Sequence, residues 1–162
     1  MNTRRIFAVM AFSWTLASGL NADVLSISPA AIRPSDSLAS TVVWHAKADA
    51  FYFETYAEFE VNIGVELPHG VQVSRLSTYL TDLNSTANNI WISLRRQRLT
   101  TGVVEVMASI STMDKGSLSR KFLTTSTIAG AVIDNTRYTY HLKILFDWAG
   151  SDRKIHGLKI HY

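Results

Sequence analysis

The chain contains no cysteine. A disulfide framework, a cysteine-ligated zinc site and a thiol nucleophile are therefore excluded. A domain without disulfides depends on its hydrophobic core, and about 140 residues suffice for folding to bury roughly two thirds of the chain's surface. If such a protein is exported, the absence of disulfides fits a bacterial periplasm or cell exterior better than a small eukaryotic secreted domain.

The chain also has little net charge once its N-terminus is set aside. The formal net charge is +3 over 162 residues, and removing Arg4 and Arg5 leaves 14 basic against 13 acidic residues. This balance gives no general electrostatic attraction to nucleic acid or to an anionic membrane. The basic run of Arg95, Arg96 and Arg98 is too short for a nucleic-acid interface. We therefore predict no nucleic-acid partner.

Long apolar runs are absent except at the N-terminus. Arg4 and Arg5 precede an apolar segment from Ile6 to Leu16, and small residues follow as far as Ala22. This order is typical of a secretory signal peptide, and the run is shorter than the ~20 residues of a membrane-spanning helix. We predict a signal peptide over residues 1–22, a mature chain without a membrane span, and a secreted, periplasmic or extracellular location in a bacterium.

The strongest pattern in the chain is an alternation of apolar and polar residues from Phe51 to Leu67. Successive side chains of a strand point to opposite faces, so the apolar odd positions predict a buried face. Tyr138 to Phe146 alternates in the same way, and no segment after residue 22 shows a helical period. We predict one all-β domain over residues 23–162, an antiparallel, jelly-roll-like β-sandwich of about eight or nine strands. Its first residues, about 23–40, form a loose N-terminal arm.

Two local expectations follow from the same period. Val104, Val106, Ala108 and Ile110 all lie on even positions, which predicts a single inward face. Asp114, Lys115 and Gly116 are typical of the turn of a β-hairpin. The strands on either side of residues 114–116 are therefore expected to pair with each other.

Residues that could perform catalysis or hold a metal form no recognisable pattern. None of the five histidines has the spacing HxH or HxxxH, although His141 and His161 would be neighbours if their two strands paired as a hairpin. A nucleophile elbow, a phosphate-binding loop and a dinucleotide fingerprint are all absent from the sequence. We predict no catalytic residues, no metal site and no cofactor, so the protein is not expected to be an enzyme.

The polar positions of the Phe51–Leu67 stretch combine aromatic and acidic side chains. Aromatic rings can stack on sugar rings and carboxylates can bond to sugar hydroxyls, while a pair of carboxylates could also serve a glycosidase. Tyr and Glu are equally ordinary on the solvated side of a strand. The candidate binding residues are Tyr52, Glu54, Tyr56 and Glu58.

Several short motifs follow one another between Val65 and Tyr162. They are Leu67-Pro68-His69-Gly70, Tyr79 with Asp82, Leu94-Arg95-Arg96, Met107-Ala108, and Ile133-Asp134-Asn135 with Tyr138 and Tyr140. In this order they resemble a diffuse group of secreted bacterial β-sandwich proteins of unassigned function. The resemblance implies secretion and a compact β-domain, and it implies no catalytic residues.

Three functions are compatible with these features. The first is a secreted, non-enzymatic interaction or structural module that contacts itself or an extracellular protein or glycan. The second is a carbohydrate-binding domain. The third is a small outer-membrane β-barrel, because the C-terminal sequence LKIHY alternates apolar residues and ends on an aromatic one.

The first testable prediction concerns processing. Cleavage after Ala22 should leave Asp23 as the first residue of the exported protein, because the basic, apolar and small-residue regions end there. N-terminal sequencing of protein recovered from the periplasm or the medium checks this. Recovery of an intact Met1 would contradict it.

Overall fold

A computed structural model of the protein describes residues 23–34, 43–47, 49–54, 57–83, 89–113, 115 and 117–162. The expected signal peptide and Tyr56 lie outside these ranges. Within them the chain forms one turn of 3-10 helix (Pro29–Ala31) and ten strands. The strands are β1 (Val24–Ile27), β2 (Trp44–Ala46), β3 (Phe51–Phe53), β4 (Phe59–Val65), β5 (Arg75–Asp82), β6 (Ile90–Arg98), β7 (Val104–Ser111), β8 (Leu118–Thr125), β9 (Tyr138–Phe146) and β10 (Arg153–His161). In this part of the chain no helix has the length and apolar character needed to cross a membrane.

The strands form two antiparallel sheets. The six-stranded sheet has the order β2-β3-β10-β5-β8, with β1 also paired to β10, and the four-stranded sheet has the order β4-β9-β6-β7. From β3 onward every connection except β6–β7 passes from one sheet to the other, which is jelly-roll connectivity. The predicted jelly-roll sandwich is confirmed, with ten strands in place of eight or nine. The third function considered above requires a single closed sheet, and it is wrong because the strands form two separate sheets.

The core lies between the two sheets. Phe53 on β3 stacks on Phe59 on β4 with ring centroids 4.3 Å apart, and it meets Phe146 on β9 edge-on at 5.6 Å. These contacts cross from the six-stranded to the four-stranded sheet. The predicted inward residues of β9 are all buried, whereas Ile63 on β4 is only partly buried.

The alternating stretch from Phe51 to Leu67 is not one strand. β3 ends at Phe53 in the six-stranded sheet, and β4 begins at Phe59 in the four-stranded sheet. Both strands turn their odd positions toward the same core, so the period of two continues through the crossing. Alternation therefore identified the buried side chains correctly but hid the change of sheet.

β7 departs from the predicted alternation. Leu94 pairs with Ala108 but Arg95 pairs with Val106, so one extra residue, Met107, enters β7 at this point. Met107 and Ala108 are both buried, while Val104 and Val106 are exposed. The prediction that Val104 and Val106 face inward is wrong because this bulge reverses the phase of the strand.

The predicted hairpin at residues 114–116 is also wrong. β7 belongs to the four-stranded sheet and β8 to the six-stranded sheet, so the connection between them crosses the sandwich. A turn-forming sequence shows where a strand ends, but it does not show which strand the next one pairs with.

Two motifs singled out in the sequence meet at one end of the sandwich. The backbone N–H of Gly70 donates to the carbonyl oxygen of Ile133 at 2.8 Å, and the Asn135 side-chain amide donates to the carbonyl oxygen of Leu67 at 2.9 Å. Gly70 has φ of 81°, a left-handed conformation that favours glycine. These bonds join the β4–β5 and β8–β9 connections, so both motifs have a structural role.

The core contact between the sheets gives a second prediction. Phe59→Ala should lower the free energy of unfolding by about 3–5 kcal/mol, because it removes the ring stacked on Phe53 and leaves a cavity. Urea denaturation measures this, with the exposed Phe122→Ala as control, expected to lie within about 1 kcal/mol of the wild type. A loss below about 1 kcal/mol for Phe59→Ala would show that this contact does not hold the sheets together.

Candidate functional site

The structure describes three of the four residues predicted to form a binding face, and these three do not share one. Tyr52 lies on β3 and Glu54 follows it, next to the six-stranded sheet, whereas Glu58 precedes β4 of the four-stranded sheet. The outer faces of two packed sheets point away from each other. The prediction of one shared face is wrong because it treated residues 51–67 as a single strand. Tyr56 lies outside the residues described.

Tyr52 and Glu54 already have partners within the protein. The His45 ring stacks on Tyr52 with centroids 4.8 Å apart, and the Lys154 ammonium lies 4.9 Å from the same Tyr52 centroid. His45 Nε2 is 2.5 Å from Glu54 Oε1. These residues therefore form one margin of the outer face of the six-stranded sheet, and Tyr52 is a half-buried part of that margin.

An exposed pair of aromatic rings lies on the same outer face. Tyr79 on β5 and Phe122 on β8 are directly opposite each other in the sheet, and their ring centroids are 4.9 Å apart. Tyr79 is 44% exposed and Phe122 is 45% exposed. On the other side Tyr79 pairs with Gly157 of β10, which has no side chain to cover the ring. Two adjoining aromatic rings thus face solvent on the last two strands of the sheet, because β8 ends the strand order and β5 lies beside it.

Polar side chains flank this pair along the strands. On one side Thr81 pairs with Lys154, and on the other side Ser77 pairs with both Lys159 and Thr124. Hydroxyl and ammonium groups therefore border an apolar centre. We call this surface the aromatic face. It consists of Tyr52, Tyr79, Thr81, Phe122, Thr124, Lys154 and Lys159, whereas Ser77, in the same row as Lys159 and Thr124, is fully buried.

His161 at the end of β10 borders the aromatic face as a neutral imidazole. The Arg75 guanidinium lies 3.1 Å from His161 Nδ1, and Ser77 Oγ lies 3.1 Å from His161 Nε2. A guanidinium can only donate, so Nδ1 accepts and Nε2 carries the hydrogen that is donated to Ser77. Burial lowers the pKa of His161, and the charges of Arg75 and Lys159 lower it further.

The outer face of the four-stranded sheet carries a groove of about 180 Å³. Its polar groups are engaged with one another: Lys143 pairs with Glu60, and Arg95 Nε donates to Ser93 Oγ at 2.9 Å. The Trp91 ring is half-buried, and its N–H donates to Asp147 at 3.2 Å. The groove therefore offers a less accessible aromatic surface than Tyr79 and Phe122 do.

A wider hollow of about 820 Å³ lies at the end of the sandwich beside β4 and β9. Tyr138 and Tyr140 line it, but both are buried. The Tyr138 hydroxyl accepts from Arg98 at 3.2 Å, and the Tyr140 hydroxyl accepts from the backbone N–H of Asp134 at 2.7 Å. The Tyr140 hydroxyl thus braces the β8–β9 connection and the Tyr138 hydroxyl is tied to β6, and neither buried tyrosine leaves a ring face open to a ligand.

The histidines form no metal site with the other residues that the structure describes. His141 lies on β9 and His161 on β10, in different sheets, so the hairpin pairing that would make them cross-strand neighbours does not form. Among the residues described, no group of three or more His, Asp or Glu side chains could hold a metal ion.

No local pattern in the sequence marks Tyr79 and Phe122 as a site. Leu76, Thr78 and Leu80 are buried on alternate positions of β5, so the outward direction of Tyr79 could have been read from that alternation. The pairing of β5 with β8 cannot be predicted from such a pattern, because these strands are distant in the sequence and adjacent only through jelly-roll connectivity.

Comparison with known proteins gives a likeness of fold only. No protein-family model matches the chain, and no curated protein sequence matches it. A family 11 carbohydrate-binding module from Clostridium thermocellum, solved with a β-1,3-1,4-mixed-linked tetrasaccharide, is 11% identical with a TM-score of 0.42, over 90% of this chain and 91% of that chain. TmCBM61, solved with β-1,4-galactotriose, is 19% identical with a TM-score of 0.38, over 86% of this chain and 88% of that chain. Similarity at this level assigns no residue of this chain to a binding site.

The titration of the histidines gives a third prediction. Burial also lowers the pKa of His141, and the charge of Arg95 lowers it further. The pKa values of His141 and His161 are therefore both below the ordinary value of 6.5. The unfolded chain therefore binds more protons just below pH 6.5, so stability should fall as the pH drops through that window. Urea unfolding at pH 7.5 and 5.5 measures the slope.

The double variant His141→Gln, His161→Gln should reduce this loss of stability on acidification. Thr100→Gln, in the exposed turn after β6, is the control: it introduces the same amide without removing an imidazole and should retain the wild-type slope. An unchanged slope in the double variant would show that these two imidazoles are not responsible.

Proposed function

We propose that the protein is an exported, non-enzymatic module that binds carbohydrate through the aromatic face. The observation that carries the proposal is the contact between Tyr79 and Phe122, each nearly half exposed, on the last two strands of the six-stranded sheet. Aromatic rings of soluble domains are usually well buried, and exposed clusters of them mark binding surfaces.

The composition of the aromatic face favours a sugar as the ligand. A pyranose ring has apolar C–H faces, which pack against aromatic rings, and an equatorial rim of hydroxyl groups. Tyr79 and Phe122 supply the apolar contact. On a flanking row the exposed Lys159 can donate, and the oxygen of the exposed Thr124 hydroxyl, whose hydrogen is donated to the Leu76 carbonyl, can accept. A few placed polar groups around an apolar centre are the usual means of orienting a small polar ligand.

Self-association through this surface is less well supported. A stable protein interface buries about 800 Å² on each partner, and two half-exposed rings provide much less apolar area than that. In a symmetric dimer the same patch meets itself, so Lys154 and Lys159 would face the lysines of the second copy. The like charges oppose such a contact, whereas a sugar brings no such repulsion.

A fourth prediction tests the site. Tyr79→Ala and Phe122→Ala should each weaken binding to a retained polysaccharide by about tenfold, equivalent to ~1.4 kcal/mol, since each removes one ring of the apolar platform. Affinity gel electrophoresis with β-glucan, xylan, galactan and polygalacturonate provides the measurement. Trp148→Ala is the matched control, because Trp148 is 46% exposed but lies in the turn after β9.

The outcomes separate the competing functions. Retention by at least one polysaccharide, lost in both ring variants and kept in Trp148→Ala, supports the proposal. Light scattering that shows a dimer dissociated by Tyr79→Ala would instead favour self-association. Failure of every polysaccharide to retard a folded, monomeric protein would remove the basis for carbohydrate binding.

A further inference from the structure

Charge is distributed very unequally between the two sheets. The only acidic residue in the strands of the six-stranded sheet is Asp82, which is completely buried with Arg153. Apart from Arg153, these strands carry five basic residues, all at least partly exposed. They are Arg75, Arg120, Lys121, Lys154 and Lys159. The nearly neutral chain thus has one strongly cationic sheet.

The cations beside the aromatic pair are not neutralised within the part of the chain that the structure describes. Lys154 contacts the Tyr52 ring and Arg75 contacts His161, and neither they nor Lys159 form an ion pair with a described carboxylate. On the four-stranded sheet, by contrast, Glu60 pairs with Lys143 and Glu105 pairs with arginines. Among the described residues, these three positive charges therefore have no anionic partner.

The positions of the two lysines suit an extended chain. Lys154 pairs with Thr81 and Lys159 pairs with Ser77, so they lie on opposite sides of Tyr79 along β5. At a rise of about 3.3 Å per residue, Thr81 and Ser77 are about 13 Å apart, with the aromatic pair between them. A polymer running along β5 would meet a cation, an apolar platform and a second cation in succession.

We infer that the carbohydrate bound by the aromatic face is an acidic polysaccharide, whose carboxylate or sulfate groups pair with Lys154 and Lys159 while its sugar rings pack on Tyr79 and Phe122. This inference rests on the proposed function and adds the chemical class of the ligand. Burial is the main cause of the lowered pKa of His161, and the further lowering by Arg75 and Lys159 agrees with the inference, because a polyanion would offset their positive potential.

A single-stranded nucleic acid fits the face less well. Its successive bases stack on separate aromatic platforms along a cationic groove. Tyr79 and Phe122 contact each other and form one combined surface, inclined at 46° between the rings.

The experiment uses pairs of ligands that differ only in charge. Polygalacturonate is compared with its methyl ester, and dextran sulfate is compared with dextran, by calorimetry or affinity electrophoresis at low and high salt. We expect the acidic member of at least one pair to bind at least tenfold more tightly, with a preference that salt weakens. The two pairs distinguish carboxylate from sulfate as the anionic group.

Charge-removing variants locate the site. Lys154→Gln and Lys159→Gln should each weaken binding of the acidic polymer by about fivefold. Arg95→Gln, on the outer face of the opposite sheet, is the matched control and should bind as the wild type does. Binding should also raise the pKa of His161, followed by NMR of its ring protons.

The results distinguish specificity for acidic polymers from carbohydrate binding itself. Equal affinity for both members of each pair, lost in Tyr79→Ala, overturns the acidic specificity and leaves carbohydrate binding intact. If Arg95→Gln loses binding while Lys154→Gln and Lys159→Gln bind as the wild type does, the site lies on the other sheet and the inference is overturned. Equally tight binding of oligothymidylate, dependent on the same rings and lysines, overturns it in favour of a general polyanion site.

Discussion

The buried pairing of Arg153 with Asp82 is the constraint on which much of the structure depends. Arg153 Nε lies 3.4 Å from Asp82 Oδ1, and both side chains are almost completely removed from solvent. Thr112 donates to Asp82 at 2.5 Å, and the backbone N–H of Ile90 donates to Thr112 at 2.9 Å. A charge without its partner in this position is strongly destabilising, so the network specifies how β5 and β10 meet the ends of β6 and β7.

The same pairing shapes the surface. Asp82 is the only acid of the six strands, and this pairing holds it in the interior. The only charged side chains on the outer face of that sheet are therefore basic. The exposed acids that lie near this sheet are at its margins, as Glu54 is beside His45. The strands of the four-stranded sheet contain both signs, and Glu60 and Glu105 neutralise their basic neighbours. The strands of both sheets carry more basic than acidic residues, so most of the acids that bring the overall charge near zero lie outside the strands.

Local patterns predicted what depends on local geometry. The period of two identified the buried faces of β9 and of both strands between Phe51 and Leu67, because every strand of a sandwich alternates between core and solvent. It failed at Met107, where one inserted residue changed the phase of β7. It also could not show that residues 51–67 change sheets, since both sheets face one core. The pairing of Tyr79 with Phe122 depends on connectivity between distant strands, which no local period contains.

The location of the aromatic face on strands has a consequence for how it would bind. Tyr79 and Phe122 project from paired strands above the buried core, and Ser77 is held by His161, which is held in turn by Arg75. A surface fixed in this way loses little conformational freedom when a ligand arrives. Side-chain ordering on binding would fall mainly on the lysines, whose long stems are flexible. The rings therefore define where a sugar chain lies, and the cations, which act over a longer distance, select which chains approach.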